Sequence, residues 1–106
     1  MPPRLTHLLQ PTGEQQGEEQ FLPLLRTAQL QLEQIISHGQ ASPAGFWYDQ
    51  PSAEWVALLR GTAQLEFEDG TLPLQAGDAL LIPAHCRHRV ASCSLDAIWL
   101  ALRFQP

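Results

Sequence analysis

The stretch GDALLIPAHCRHRV, residues 77–90, decides the fold of this 106-residue chain. Gly77 predicts a turn, because glycine adopts positive φ angles without a steric penalty. A short, apolar, β-prone run follows, and Pro83 ends it because proline has no backbone donor. His88 then lies on the next predicted strand. The stretch therefore predicts a turn, a strand, a second turn and a returning strand that carries a histidine.

The chain around this stretch predicts an all-β domain. Residues 62–68 alternate apolar and polar side chains, the Asp-Gly pair at 69–70 is a strong hairpin signal, and residues 98–104 alternate again. Residues 46–50 and 54–60 favour two further strands. About eight or nine short strands with turns at this spacing indicate an antiparallel sandwich or barrel.

The N-terminal part has a different pattern. Residues 1–27 are predicted to form an arm, and within it residues 14–26 place apolar side chains behind a pair of glutamates. That arrangement favours a short amphipathic helix, which Pro23 would weaken. From residue 28 the period changes to two, so residues 28–106 are predicted to form the β-barrel.

Composition restricts the class of partner. The net charge is −5, and the six basic residues are all arginine, so neither nucleic acid nor an anionic membrane is expected as a partner. No apolar run reaches the ~18 residues of a membrane span, and no signal-peptide pattern follows Met1. Cys86 and Cys93 are expected to be free thiols. These features together predict a cytoplasmic protein.

Two strands are apolar on both faces, which predicts an additional covering surface. Residues 54–59 and 98–102 carry apolar side chains at both parities. In so small a domain, the outer face of such a strand must be covered by something. We expect a homodimer. The alternative is that residues 1–26 fold back over Trp55 and Trp99.

Two motifs resemble the cupin superfamily. The second cupin motif, G(X)5PXG(X)2H, is matched by Gly77, Pro83 and His88, with His85 where the motif has its second glycine. The first motif ends in Glu, six residues and Gly, and Glu54 and Gly61 have that spacing. The resemblance implies a double-stranded β-helix, the cupin jelly-roll barrel.

The resemblance also implies a site inside the barrel. Cupin sites typically use three histidines and one glutamate, but here Tyr48 and Gln50 stand where the first motif has its two histidines. A divalent ion (Fe, Ni, Mn or Zn) would then have Gln50, Glu54 and His88 as ligands. Tyr48, Phe46 and His38 are expected to line the pocket. The alternative is a histidine paired with Glu54 or Tyr48 without metal.

Three functions remain open at this point. The first is a cupin whose pocket binds a small molecule and a divalent metal. The second is a metal-dependent oxygenase or isomerase, in which Glu54 or His88 handles protons. The third is a non-catalytic structural or regulatory dimer. The cupin fold hosts all three classes, so the fold does not choose among them.

Overall fold

The protein folds into two antiparallel β-sheets, as the alternation predicts. A computed structural model describes residues 2–10 and 17–105. The larger sheet has the strand order β1-β2-β8-β3-β6 and the smaller one β5-β4-β7. The strands are β1 Gln20–Arg26, β2 Leu30–Ile36, β3 Ala53–Arg60, β4 Thr62–Phe67, β5 Gly70–Gln75, β6 Ala79–Ile82, β7 His88–Cys93 and β8 Ile98–Phe104.

The predicted N-terminal helix is wrong over the part of it that the structure describes. Gln20–Arg26 is an edge strand that pairs with β2, and the described residues contain no helix. Pro23 explains the difference, because an edge strand tolerates a missing donor and a helix interior does not. The register shifts between Pro23 and Leu25. Residues 14–16 of the predicted helix lie outside the described part.

The strand predicted at residues 46–50 is reduced to a single β-bridge. The backbone amide of Tyr48 donates to the His88 carbonyl at 2.7 Å, and the amide of His88 donates to the Tyr48 carbonyl at 3.1 Å. Gly45, at φ +79°, and Pro51 confine the extended segment to a few residues. The bridge nevertheless fixes Tyr48 beside His88.

The hydrophobic core lies between the two sheets. Leu58 on β3 is fully buried at its centre. Gly61 turns the chain from one sheet to the other at φ +86°, and a Cβ there would collide with the side chain of Ser94. Glycine is therefore required at this turn. The buried apolar core consists of Val56, Leu58, Ala63, Leu65, Leu74, Ile82, Ala97 and Trp99.

The outer face of the larger sheet carries an apolar row, which we call the outer row. It crosses all five strands in register and consists of Leu81, Trp55, Leu102, Leu32 and Leu25. Leu81, Trp55 and Leu25 are 56%, 39% and 54% exposed. The described N-terminal segment therefore leaves much of this row uncovered. No helix in the described ranges is long and apolar enough to cross a membrane.

Candidate functional site

A cavity of about 170 Å³ opens between the sheets, on the inner face of the larger one. Its wall combines apolar side chains from the core with polar side chains from the strands and from the segment between β2 and β3. The lining residues are Glu19, Phe21, Ile35, Ser37, Gln40, Ala41, Ser42, Pro43, Tyr48, Gln50, Glu54, Val56, Leu65, Ile82, His88, Val90, Trp99, Ala101 and Arg103.

His88 projects one ring nitrogen toward the cavity. His88 is the first residue of β7, and it is only 6% exposed. Its Nδ1 lies 2.9 Å from the carbonyl oxygen of Cys86. Because a carbonyl only accepts hydrogen bonds, Nδ1 carries a hydrogen. The other nitrogen, Nε2, lies 3.6 Å from Glu54 Oε1. It carries a lone pair when His88 is neutral and a second N–H group when His88 is protonated.

Glu54 also contacts an arginine that connects it to a second carboxylate. Its Oε2 lies 3.3 Å from Nε of Arg103 on β8. Nη2 of Arg103 donates to Glu33 Oε1 on β2 at 2.9 Å. Glu54 and Glu33 are 7% and 6% exposed. The four side chains His88, Glu54, Arg103 and Glu33 thus form a continuous series of ion pairs, which we call the buried ion chain.

The charged form of His88 is favoured by this arrangement. Burial by itself lowers the pKa of His88, but three other effects outweigh it: hydrogen bonding to Glu54, the carbonyl of Cys86 and the negative charge of Glu54. The net result is a pKa raised above the ordinary value of histidine. The site therefore holds a proton donor beside a buried carboxylate.

Tyr48 stacks on one face of the His88 ring. The two rings stack with centroids 5.4 Å apart, and Phe46 meets the edge of Tyr48 at 4.8 Å. Burial, followed by the charges of Glu19 and Glu54, raises the pKa of Tyr48. The phenol therefore stays protonated near neutral pH and can donate a hydrogen bond.

The structure brings most of the predicted site residues to the cavity. Tyr48, Gln50, Glu54 and His88 all line it, whereas Phe46 and His38 do not. Phe46 packs on Tyr48 from outside and is 43% exposed.

His85 pairs with Asp49 rather than with the cavity residues. Its Nδ1 lies 2.8 Å from Oδ1 of Asp49, and both side chains are exposed. His85 has φ +59°, the left-handed region that glycine favours and that the glycine of the related motif would adopt without strain. This exposed pair stands apart from the cavity lining.

Three charged residues of the site were not predicted from the sequence. They are Arg103 and Glu19, which line the cavity, and Glu33, which lies behind Arg103. Alternation along β8 groups Arg103 with the cavity residues Trp99 and Ala101. The sequence shows this alternation, but alternation alone does not indicate which face of the strand is the inner one.

The donors present do not fit a transition-metal ion. The described residues contain no group of three His, Cys, Asp or Glu side chains able to hold one. His88 and Glu54 are the strong donors, and Gln50 adds only a neutral amide. Catalytic zinc and iron sites use three strong protein ligands. The guanidinium of Arg103 at 3.3 Å from Glu54 further opposes a cation there.

Comparison with known proteins agrees with this geometry. The family model described as "Cupin domain" matches residues 33–102. A crystal structure from Ralstonia eutropha, titled a "putative mannose-6-phosphate isomerase", is 42% identical, covers 98% of this chain and 100% of its own, and superimposes with a TM-score of 0.91. A search of curated proteins finds no match.

More distant structures share the fold. A cupin superfamily protein from Desulfitobacterium hafniense is 16% identical, with coverage of 90% of this chain and 84% of its own and a TM-score of 0.74. KdgF from Halomonas is 18% identical, with coverage of 89% and 84% and a TM-score of 0.72. At these identities the likeness concerns the fold alone.

Proposed function

This chain belongs to the cupin domain family, and from that premise we propose that its barrel pocket binds one small polar organic molecule without a resident metal ion. The supporting observation is the cavity between the sheets, into which an imidazole, a carboxylate, a phenol and an amide converge. A mostly apolar pocket with a few convergent polar groups is the usual form of a small-molecule site. His88, Glu54, Tyr48 and Gln50 supply those groups.

The volume limits the size of the ligand. An apolar protein cavity of about 150 Å³ accommodates benzene. The cavity here measures about 170 Å³. A molecule with a single six-membered ring, or an open chain of similar size, therefore fits inside, with further substituents directed to the opening.

The polar residues have distinct roles in this proposal. His88 donates from Nε2 when it is protonated and neutral Tyr48 donates from its hydroxyl, so both suit a ligand oxygen. Gln50 offers a donor and an acceptor at the same wall. Arg103 is held by its two carboxylates and positions Glu54 rather than the ligand.

A matched pair of loop variants tests the pocket. Ala41 lines the cavity and Ala44 does not, and both are exposed. In an NMR titration with cyclohexanol, a neutral ring of suitable size, we expect saturable shifts at cavity-lining residues. Ala41→Phe should weaken binding at least about tenfold by filling the opening, a loss of about 1.4 kcal/mol. Ala44→Phe should leave binding unchanged. Equal binding by both variants, or shifts outside the cavity, would refute the pocket.

An isomerase is the second candidate function. The Ralstonia eutropha protein, 42% identical over nearly the whole chain, carries the name of an isomerase. Sugar isomerisation moves a proton between adjacent carbons and requires an acid and a base within reach of both. His88 and Glu54, side by side at 3.6 Å, are the pair that would serve. Retention of sugar isomerisation by both His88→Gln and Glu54→Gln would exclude this role.

We also propose that the outer row is the contact surface of a homodimer. Its exposed members Leu81, Trp55 and Leu25 lie in register across the sheet, which gives a continuous apolar strip on a flat face. Patches of this kind mark protein–protein contacts more often than free surface. A two-fold pairing would bring each strip against its own copy.

A further inference from the structure

The charges around the cavity do not balance. Three carboxylates, Glu19, Glu33 and Glu54, belong to the wall or lie directly behind it. Arg103 is the one guanidinium among the lining residues, and His88 supplies a second positive charge when protonated. Even with both cations present the pocket retains a negative excess, which disfavours an anionic ligand.

The excess is located at Glu19. Glu33 and Glu54 are engaged in the buried ion chain, whereas Glu19 pairs with no basic side chain in residues 2–10 and 17–105. One of its oxygens, Oε2, accepts a hydrogen bond from the Ser37 hydroxyl at 2.7 Å. That bond orients the carboxylate at the cavity wall and leaves Oε1 for another donor.

Aromatic rings belong to the same wall as this carboxylate. Phe21 on β1, two residues after Glu19, also lines the cavity and is about half exposed. Tyr48 lines it as well, and the charge of Glu19 contributes to raising the pKa of Tyr48, so the two groups interact across the cavity. A carboxylate that lines a cavity together with aromatic rings attracts an ammonium group by its charge, and the rings add cation–π interaction.

Resting on the proposed small-molecule function, we propose that the ligand carries an amine or another cationic group, which Glu19 binds at the pocket opening while the ring enters the cavity. A phosphate monoester is disfavoured by the same arrangement. Arginine and lysine are the usual side-chain donors to a phosphate. Arg103 is held between Glu33 and Glu54, at 2.9 Å and 3.3 Å. The charge balance thus favours an unphosphorylated substrate, in contrast to the phosphosugar that names the Ralstonia eutropha protein.

Three probes built on one ring vary the charge of the substituent. Cyclohexylammonium, cyclohexanol and cyclohexanecarboxylate share one ring and differ by charge at pH 7. By NMR titration of the intact protein, we expect the ammonium to bind at least about tenfold more tightly than the carboxylate, with the alcohol between them. Mannose 6-phosphate, as a fourth probe, should bind more weakly than mannose.

A matched pair of glutamate variants assigns the preference to one residue. Glu18 is exposed and lies outside the lining, and Glu19 belongs to it. Glu19→Gln should weaken cyclohexylammonium about fivefold, as expected for a partly exposed ion pair, and leave cyclohexanol unchanged. Glu18→Gln should change neither affinity.

The outcomes distinguish this inference from the function on which it rests. Cyclohexanol binding without any preference for the ammonium, or an ammonium preference that survives Glu19→Gln, would overturn the role of Glu19 and keep the pocket. Tighter binding of the carboxylate or of mannose 6-phosphate would overturn the inference as well. Failure of all probes to shift cavity residues would overturn the proposed function itself.

Discussion

Each face of the five-stranded sheet carries side chains that usually lie on the opposite face. The inner face carries the buried ion chain, with Glu54 and Glu33 less than a tenth exposed, beside the core. The outer face carries the outer row, where Leu81 and Leu25 are more than half exposed. Buried charges and exposed leucines both cost stability in a monomer. A pocket on the inner face and a partner on the outer face would account for them.

The comparison shows which face is complete without a partner. On the inner face Arg103 forms ion pairs with Glu33 and Glu54, so these two buried carboxylates have a cation within the same chain. Nothing within the described residues satisfies the outer row in the same way. In our proposals the pocket on the inner face is therefore complete within one chain, whereas the outer row is covered by a second copy.

The largest effect is expected when the buried ion chain loses its centre. Arg103→Met would leave Glu33 buried without a cation and Glu54 with His88 alone, which costs about 3–5 kcal/mol of unfolding free energy. Arg26, exposed on β1, provides the control, and Arg26→Met should cost less than about 0.5 kcal/mol. Urea denaturation measures both. A loss for Arg103→Met no larger than that for Arg26→Met would show that the chain does not stabilise the inner face.

A smaller effect is expected when the outer row acquires a charge. Trp55→Glu would place a carboxylate at the middle of the apolar strip and weaken the dimer by at least about 2 kcal/mol, the scale of an interface hot spot. Analytical ultracentrifugation over a range of concentrations measures the dissociation constant. Thr71→Glu, exposed on the smaller sheet, is the control. A wild-type protein that stays monomeric at all concentrations would refute the dimer.

The smallest of the three effects concerns the protonation of His88. Because its pKa is raised in the folded state, its contribution to stability is fully present below about pH 6.5, the ordinary histidine value, and is lost as the pH rises through the folded-state pKa. The stability difference between wild type and His88→Gln should therefore shrink with rising pH. Thr71→Ser, an exposed substitution that removes no titratable group, should give a constant difference. A difference for His88 that grows with pH would contradict the raised pKa.

Part of this arrangement could be predicted from the sequence, and the limit has a physical cause. Alternation and turn residues predict the strands. The positions of Glu54 and His88 in the two cupin-like motifs predict that both lie inside the barrel, and their side chains are 3.6 Å apart. The spacing of residues within one strand cannot reveal contacts between strands distant in sequence. Arg103 and Glu33 meet across β8 and β2, at a sequence separation of 70.

The error at the N-terminus has a different cause. The apolar spacing of residues 20–26 suits one helical turn as well as a short strand, so periodicity alone does not separate them. Pairing with β2 decides in favour of the strand. Glu19 directly precedes the first paired residue of β1 and lines the cavity, so the residue that we propose to bind the cationic group adjoins the element that was predicted wrongly.

One titration shows whether the pocket on the inner face binds its ligand without a metal ion. Untagged protein, stripped of metal with EDTA, is titrated with cyclohexylammonium and followed by NMR, with and without added Zn²⁺ or Fe²⁺. We predict saturable shifts at cavity-lining residues such as Ala101 and Val90, with the same affinity in both conditions. Binding that appears only after metal is added, or shifts confined to the outer row, would contradict the account.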